Sequence, residues 1–99
     1  MLTVVAKLKV QAGKEADFER ACRVMIEHVK SAEETTVTYV LHRNRKDPTT
    51  FLFYERYRDR AGLDLHSQSP QMATLFSAIG PLLDGAPTIE TYEEIDGKR

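Results

Sequence analysis

The hydrophobic period switches back and forth along this chain between two residues and about 3.6, and the order of the switches constrains the fold more than any other feature. From Leu2 to Val10 the pattern alternates: Val4, Ala6, Leu8 and Val10 fall on one side, and Thr3, Val5, Lys7 and Lys9 on the other. That is a strand. Gln11-Ala12-Gly13 interrupts it. Phe18, Ala21, Cys22, Met25, Ile26 and Val29 then fall on one helical face, which predicts a helix from about Lys14 to Ala32. Glu15 and Asp17 in its first turn and His28 and Lys30 in its last suit the helix dipole, and His28 reads as a solvated residue at the helix end. Thr35 to Arg43 and Thr50 to Tyr57 are β-branched and aromatic, joined by the polar connector Asn44-Arg45-Lys46-Asp47-Pro48-Thr49. They predict an antiparallel hairpin with Arg43 to Lys46 as a solvated tip.

Past the hairpin, Asp59 can cap a short helix through Leu65, and Ser69-Pro70 is a second helix start. Met72, Leu75, Phe76 and Ile79 continue that helix as a stripe, which Gly80-Pro81 stops. Pro87 to Ile95 reads as a last strand carrying Ile89, Thr91, Tyr92 and Ile95, and residues 96–99 as a frayed tail of one domain spanning 1–99. The order is strand, helix, strand, strand, helices, strand. This is the α+β, ferredoxin-like βαββ(αα)β plan around one four-stranded antiparallel sheet.

Helices can cover only one face of such a sheet, yet both faces of the hairpin are apolar. Val37, Tyr39 and Leu41 alternate with Val40, and Phe51 and Phe53 alternate with Leu52 and Tyr54. The uncovered set exceeds what a monomer ordinarily exposes. A second copy of the chain is the simplest cover, so the sequence predicts a homodimer packed sheet to sheet.

Several classes of partner are excluded on charge and composition. Lys plus Arg number 14 against 15 Asp plus Glu, which argues against nucleic acid and anionic membranes. The central strands also lack the basic-glycine-aromatic octamer of an RNA-recognition module. Val4-Val5-Ala6 is too short to span a membrane or to serve as a signal peptide. Cys22 is alone, on the apolar stripe of the first helix, so it reads as a buried small hydrophobe in a cytoplasmic protein. His28, His42 and His66 include no pair with zinc-motif spacing, and the five glycines form no phosphate loop. No metal and no cofactor are expected.

The stretch from Phe51 to Pro70 resembles the antibiotic biosynthesis monooxygenase (ABM) domain family. The family's aromatic strand ends in Glu, an aromatic and Asp, followed by Leu and His and then Ser-Pro at the next helix. Here these are Glu55, Tyr57, Asp59, Leu63, His66, Ser69 and Pro70. Val4 to Val10, then Gly13-Lys14-Glu15 and Phe18, are similar to the family's first strand and helix start. Tyr39 and His42 stand where members have a second-strand Tyr and, often, His. One departure is Thr35-Thr36, where many members have Gly-Cys. The resemblance implies a dimeric α+β barrel with a pocket between sheet and helices in each protomer. It also implies cofactor-free oxidation of a small quinol-like aromatic, or turnover of a small carbonyl compound. Haem-degrading relatives place their iron-ligating His about where Phe76 stands, so haem is not expected here.

Cofactor-free oxygenation needs a base, donors for the developing oxyanion, and a dry cavity. His66 is the expected base, since imidazole titrates near neutrality. Glu55, among Phe53, Tyr54 and Tyr57, is expected to orient His66 or to be held neutral by burial. Tyr39 and Tyr57 are the expected donors. His42, Met72 and Phe76 complete the expected substrate pocket, with the helix from Met72 to Ile79 as its apolar wall. His66→Ala is then expected to lower turnover with little loss of stability. The alternative is a non-catalytic dimeric domain of the same fold, binding a small ligand or serving in stress.

Overall fold

The computed structural model describes residues 1–99. In chain order the elements are β1 (Leu2–Lys9), α1 (Glu15–Ala32), β2 (Thr36–Arg43), β3 (Thr50–Tyr57), α2 (Arg60–Ser67), α3 (Pro70–Ile79), a 3₁₀ turn (Gly80–Leu82) and β4 (Thr88–Glu93). The strands pair antiparallel in the order β2-β3-β1-β4, the ferredoxin-like arrangement expected from the periods. No helix is long and apolar enough to cross a membrane.

The helices cover one face of the sheet. Phe18, Cys22, Met25 and Val29 of α1 pack against Ala6 and Leu8 of β1 and Phe51 and Phe53 of β3, with Leu75 and Ile79 of α3 joining the same core. The Phe18 and Phe51 rings meet at 4.7 Å between centroids. Each such ring contributes about 1.5–3 kcal/mol over leaving it in water. On α3 the inward face is centred on Leu75 and Ile79. Met72 is therefore half-buried, while Phe76, one step round the helix, is 42% exposed.

Local chemistry sets the helix boundaries. Asp59 caps α2 by accepting from Gly62 N–H at 2.9 Å, and Ser69 Oγ caps α3 by accepting from Met72 N–H at 3.2 Å. Ser69 Oγ also donates to the carbonyl of His66 at 2.9 Å, which ties the end of α2 to the start of α3. The α1 boundary differs by one residue from the expected one: Lys14 is the cap position, with no side-chain cap. Instead Glu15 accepts from the N–H of Gly13, which turns the chain at a φ of 91°.

Three details depart from the sequence reading. A bulge between Thr36 and Thr38 makes Val37 an extra residue, 42% exposed, instead of a partner of Tyr39 and Leu41. β4 stops at Glu93, and no residue in it is buried, because the helices do not extend over this edge strand. The connector is a built turn. Asn44 Oδ1 accepts from the N–H groups of Lys46 and Asp47, and Asp47 accepts from Thr49, Thr50 and the Lys9 ammonium of β1.

On the other face of the sheet, Val40, Tyr54 and Tyr92 are 37–49% exposed, and Val5 and Leu52 are half-buried. These side chains come from all four strands. Arg56 lies on the same face, paired with Glu94 at 3.0 Å.

Candidate acid–base site

β3 and β2 supply one wall of the site through their register. Glu55 and Tyr57, two apart on β3, share the helix-covered face, and Tyr39 of β2 stands opposite Glu55. The Tyr57 hydroxyl donates to Glu55 Oε1 at 2.6 Å. The Tyr39 ring stacks on Phe53 at 4.6 Å.

His66 enters from α2. Gly62 and His66, four apart, are the buried positions of that helix. A Cβ on Gly62 would stand 3.2 Å from Cβ and 3.3 Å from the carbonyl oxygen of Thr35. With no side chain there, α2 packs onto the link between α1 and β2 more closely than a Cβ ordinarily sits. One turn later that closure lays the imidazole between the Tyr39 and Tyr57 rings, at 4.9 and 5.5 Å between centroids.

Glu33 on that link completes the group. Its Oε1 lies 2.8 Å from His66 Nδ1 and accepts from the Thr36 hydroxyl, also at 2.8 Å. A carboxylate accepts, so the contact places a proton on Nδ1, and in the neutral imidazole the lone pair is then on Nε2. Nε2 has no hydrogen-bond partner. It stands 3.9 Å from Glu55 Oε1, beyond hydrogen-bond reach.

Burial sets the electrostatics. It pushes the Glu55 carboxyl from 4.5 up to about 7; the nearby Glu33 charge adds to the rise and the Tyr57 hydrogen bond opposes it. Burial and the Glu55 charge push both Tyr39 and Tyr57 upward, so they are donors and not bases. Burial also pushes the Cys22 thiol up to about 12, in keeping with a packing role. No set of three His, Cys, Asp or Glu side chains is arranged to hold a metal ion.

Of the residues singled out from sequence, the fold gathers His66, Glu55, Tyr39 and Tyr57. His42 stays outside the hydrogen-bonded group, since it pairs with Leu52 on the opposite face and is exposed, but it lies in the lining of the cleft between α1 and β2. Met72 and Phe76 belong to neither the hydrogen-bonded group nor the clefts beside it. The expected wall from the α3 stripe is replaced by the aromatic rings of β2 and β3.

Those clefts flank the group. One of about 440 Å³ opens between α1 and β2, lined by Glu19, Arg23, Ile26, Tyr39, Leu41 and Phe51 among others. Arg43, read from sequence as a solvated tip residue, pairs here with Glu19 and lies 5.6 Å over the Phe51 ring. Tyr39 therefore faces this cleft and packs on His66. A second groove of about 290 Å³ lies between α1 and α3, with His28, Met25, Thr74 and Leu75 in its lining.

Sequence reasoning missed Glu33 and misread His28. One signal for Glu33 was present in the chain. An acidic residue just past a helix C-terminus opposes the dipole and needs a compensating partner. His28 is not a solvated cap: its side chain is 26% exposed and its Nε2 lies 3.5 Å from Glu33 Oε2. The Thr35-Thr36 departure also has a place here, since Thr35 seats Gly62 and Thr36 bonds Glu33.

The family model for antibiotic biosynthesis monooxygenases matches residues 1–77. A Caulobacter crescentus structure assigned to that family superposes with a TM-score of 0.92 at 30% identity, over 96% of this chain and 90% of the other. A conserved protein from Methanosarcina mazei superposes at 0.90 with 26% identity, over 95% and 92%. The uncharacterized protein sll1783 of Synechocystis is 28% identical over 92 residues. That match takes in 93% of this chain but only 62% of the relative's length.

Proposed function

This chain belongs to the antibiotic biosynthesis monooxygenase family, and we propose that it is a cofactor-independent monooxygenase of small quinol-like aromatics, with His66 as the base. One observation carries the reading: a buried imidazole is held at Nδ1 by Glu33 while its Nε2 has no hydrogen-bond partner. A site of this kind takes a proton from an acidic hydroxyl. The resulting aromatic anion reduces dioxygen. One oxygen atom enters the ring as a carbonyl and the other leaves as water, which takes up the hydroxyl and ring hydrogens. Tyr39, held as a phenol, donates to the developing oxyanion.

The α1–β2 cleft has the size of a small-molecule site. Tyr39 lines it and packs on His66, which makes that ring the link between cleft and base. The open sheet face, with Val40, Tyr54 and Tyr92 in view, supports the homodimer expected from the hairpin.

A second reading, small-ligand binding without turnover, is favoured by how closed the group is: His66 is 2% exposed and Tyr57 is 0% exposed. Oxygen uptake against a panel of quinol-like compounds decides between them. Uptake that falls in His66→Gln supports the enzyme. Binding in the cleft with no uptake from any compound supports the binding domain.

A further inference from the structure

His66 Nε2 and Glu33 Oε2 are the two buried side-chain nitrogen or oxygen atoms without a hydrogen-bond partner. Such atoms are costly and call for an explanation. Each faces the next titratable group instead of an apolar wall. Nε2 faces Glu55 Oε1 at 3.9 Å, and Oε2 faces His28 Nε2 at 3.5 Å. Glu33 Oε1 and His66 Nδ1 join the two halves at 2.8 Å. The result is a line of four groups, Glu55, His66, Glu33 and His28. It runs from the buried Glu55 to a side chain 26% exposed in the groove between α1 and α3. A base at His66 needs neither Glu33 Oε2 nor His28.

We propose that Glu33 and His28 form a proton relay between the buried His66 imidazole and solvent. The proposal rests on the reading of His66 as the base. A proton taken at Nε2 releases the Nδ1 proton to Glu33 Oε1. A half-turn of the carboxyl group presents that proton to His28 in its Nδ1-protonated tautomer, the form consistent with Glu33 Oε2 receiving no hydrogen bond; Nε2 accepts the proton and Nδ1 passes its own to water. One proton enters the line and one leaves, so no member keeps a net change in charge. Both hydrogens lost by the substrate end in water, so the same steps run backward when the reduced oxygen is protonated. That return restores each tautomer. The groups facing Glu33 are His28 of α1, Thr36 of β2 and His66 of α2. The gaps at 3.5 and 3.9 Å exceed hydrogen-bond length, so the steps across them wait on side-chain movements of about 1 Å or less, in addition to the half-turn of the Glu33 carboxyl group.

The test reads the substrate-free protein. In protein labelled with ¹⁵N-histidine, exchange of the His66 Nδ1 proton with water is measured by NMR. His28→Gln keeps the size of the side chain but removes its titration. It is expected to slow exchange by roughly 10²-fold, the lower end of what a positioned acid–base group contributes. In His28→Ala, imidazole added to the buffer is expected to restore the rate. Exchange unchanged in His28→Gln, or no response of His28→Ala to imidazole, overturns the relay. The two readings fail separately. Slowed exchange with no turnover from any quinol removes only the enzyme, and unchanged exchange with turnover lost in His66→Gln removes only the relay.

Discussion

Glu33 Oε1 lies 2.8 Å from His66 Nδ1, although 33 positions separate the two residues. The contact joins the link after α1 to the last turn of α2, and it sets which imidazole nitrogen carries the proton. Four measurements probe this contact, the groups around it and the open face of the sheet.

Stability should depend on pH through Glu55. Its carboxyl is raised in the folded chain from 4.5 to about 7. The folded state therefore binds more protons than the unfolded state between those values. The associated stability is complete below about 4.5 and is lost as pH rises through 7, an effect of roughly 3 kcal/mol. Denaturant midpoints measured from pH 4 to 8 should fall, and Glu55→Gln should flatten the profile. A wild-type midpoint that does not fall over this range would count against a neutral Glu55.

His66 governs both turnover and packing. The sequence alone suggests an Ala variant of near-native stability, but His66 is 2% exposed. Its removal leaves a cavity and strips Glu33 Oε1 of one of its two partners, leaving the Thr36 hydroxyl, at a cost of about 1–3 kcal/mol. His66→Gln, closer in size, should lower turnover of an active quinol by roughly 10²–10⁴-fold. Glu55→Gln should lower it less. Full activity in His66→Gln would reassign the base.

Gly62→Val should pull α2 off the Thr35 backbone, since even a Cβ there meets Thr35 at 3.2 Å. The expected loss is about 1–3 kcal/mol, the usual cost of overpacking. The His66 Nδ1 resonance should shift as its bond to Glu33 lengthens. A native midpoint together with a native resonance would remove Gly62 as the cause of the closure.

Light scattering at micromolar concentration should give a dimer that buries roughly 1,600 Å² or more. Val40→Glu on the open face should yield monomers of lower stability, because a charge there opposes burial. A wild-type monomer at that concentration would leave the exposed sheet face without its proposed cover.

Sequence alone determined the elements and their order. The alternation of Val4, Ala6 and Leu8, the stripe from Phe18 to Val29, and the Asp59 and Ser69 caps are local patterns, and the chain folds as they specify. The pairing of Glu55 with Tyr57 was within reach too, because residues two apart on a strand share a face. Tertiary structure decided the rest. The bulge at Val37 took that residue out of the alternation that Tyr39 and Leu41 keep, whereas the placing of His42 on the face opposite Tyr39 follows from strand alternation alone. Glu33 and His28 joined His66 only because α2 closes over a glycine onto the exit of α1. A periodic pattern reports which side of its own element a residue faces. It does not report which distant element arrives there, because that depends on packing between elements far apart in the chain.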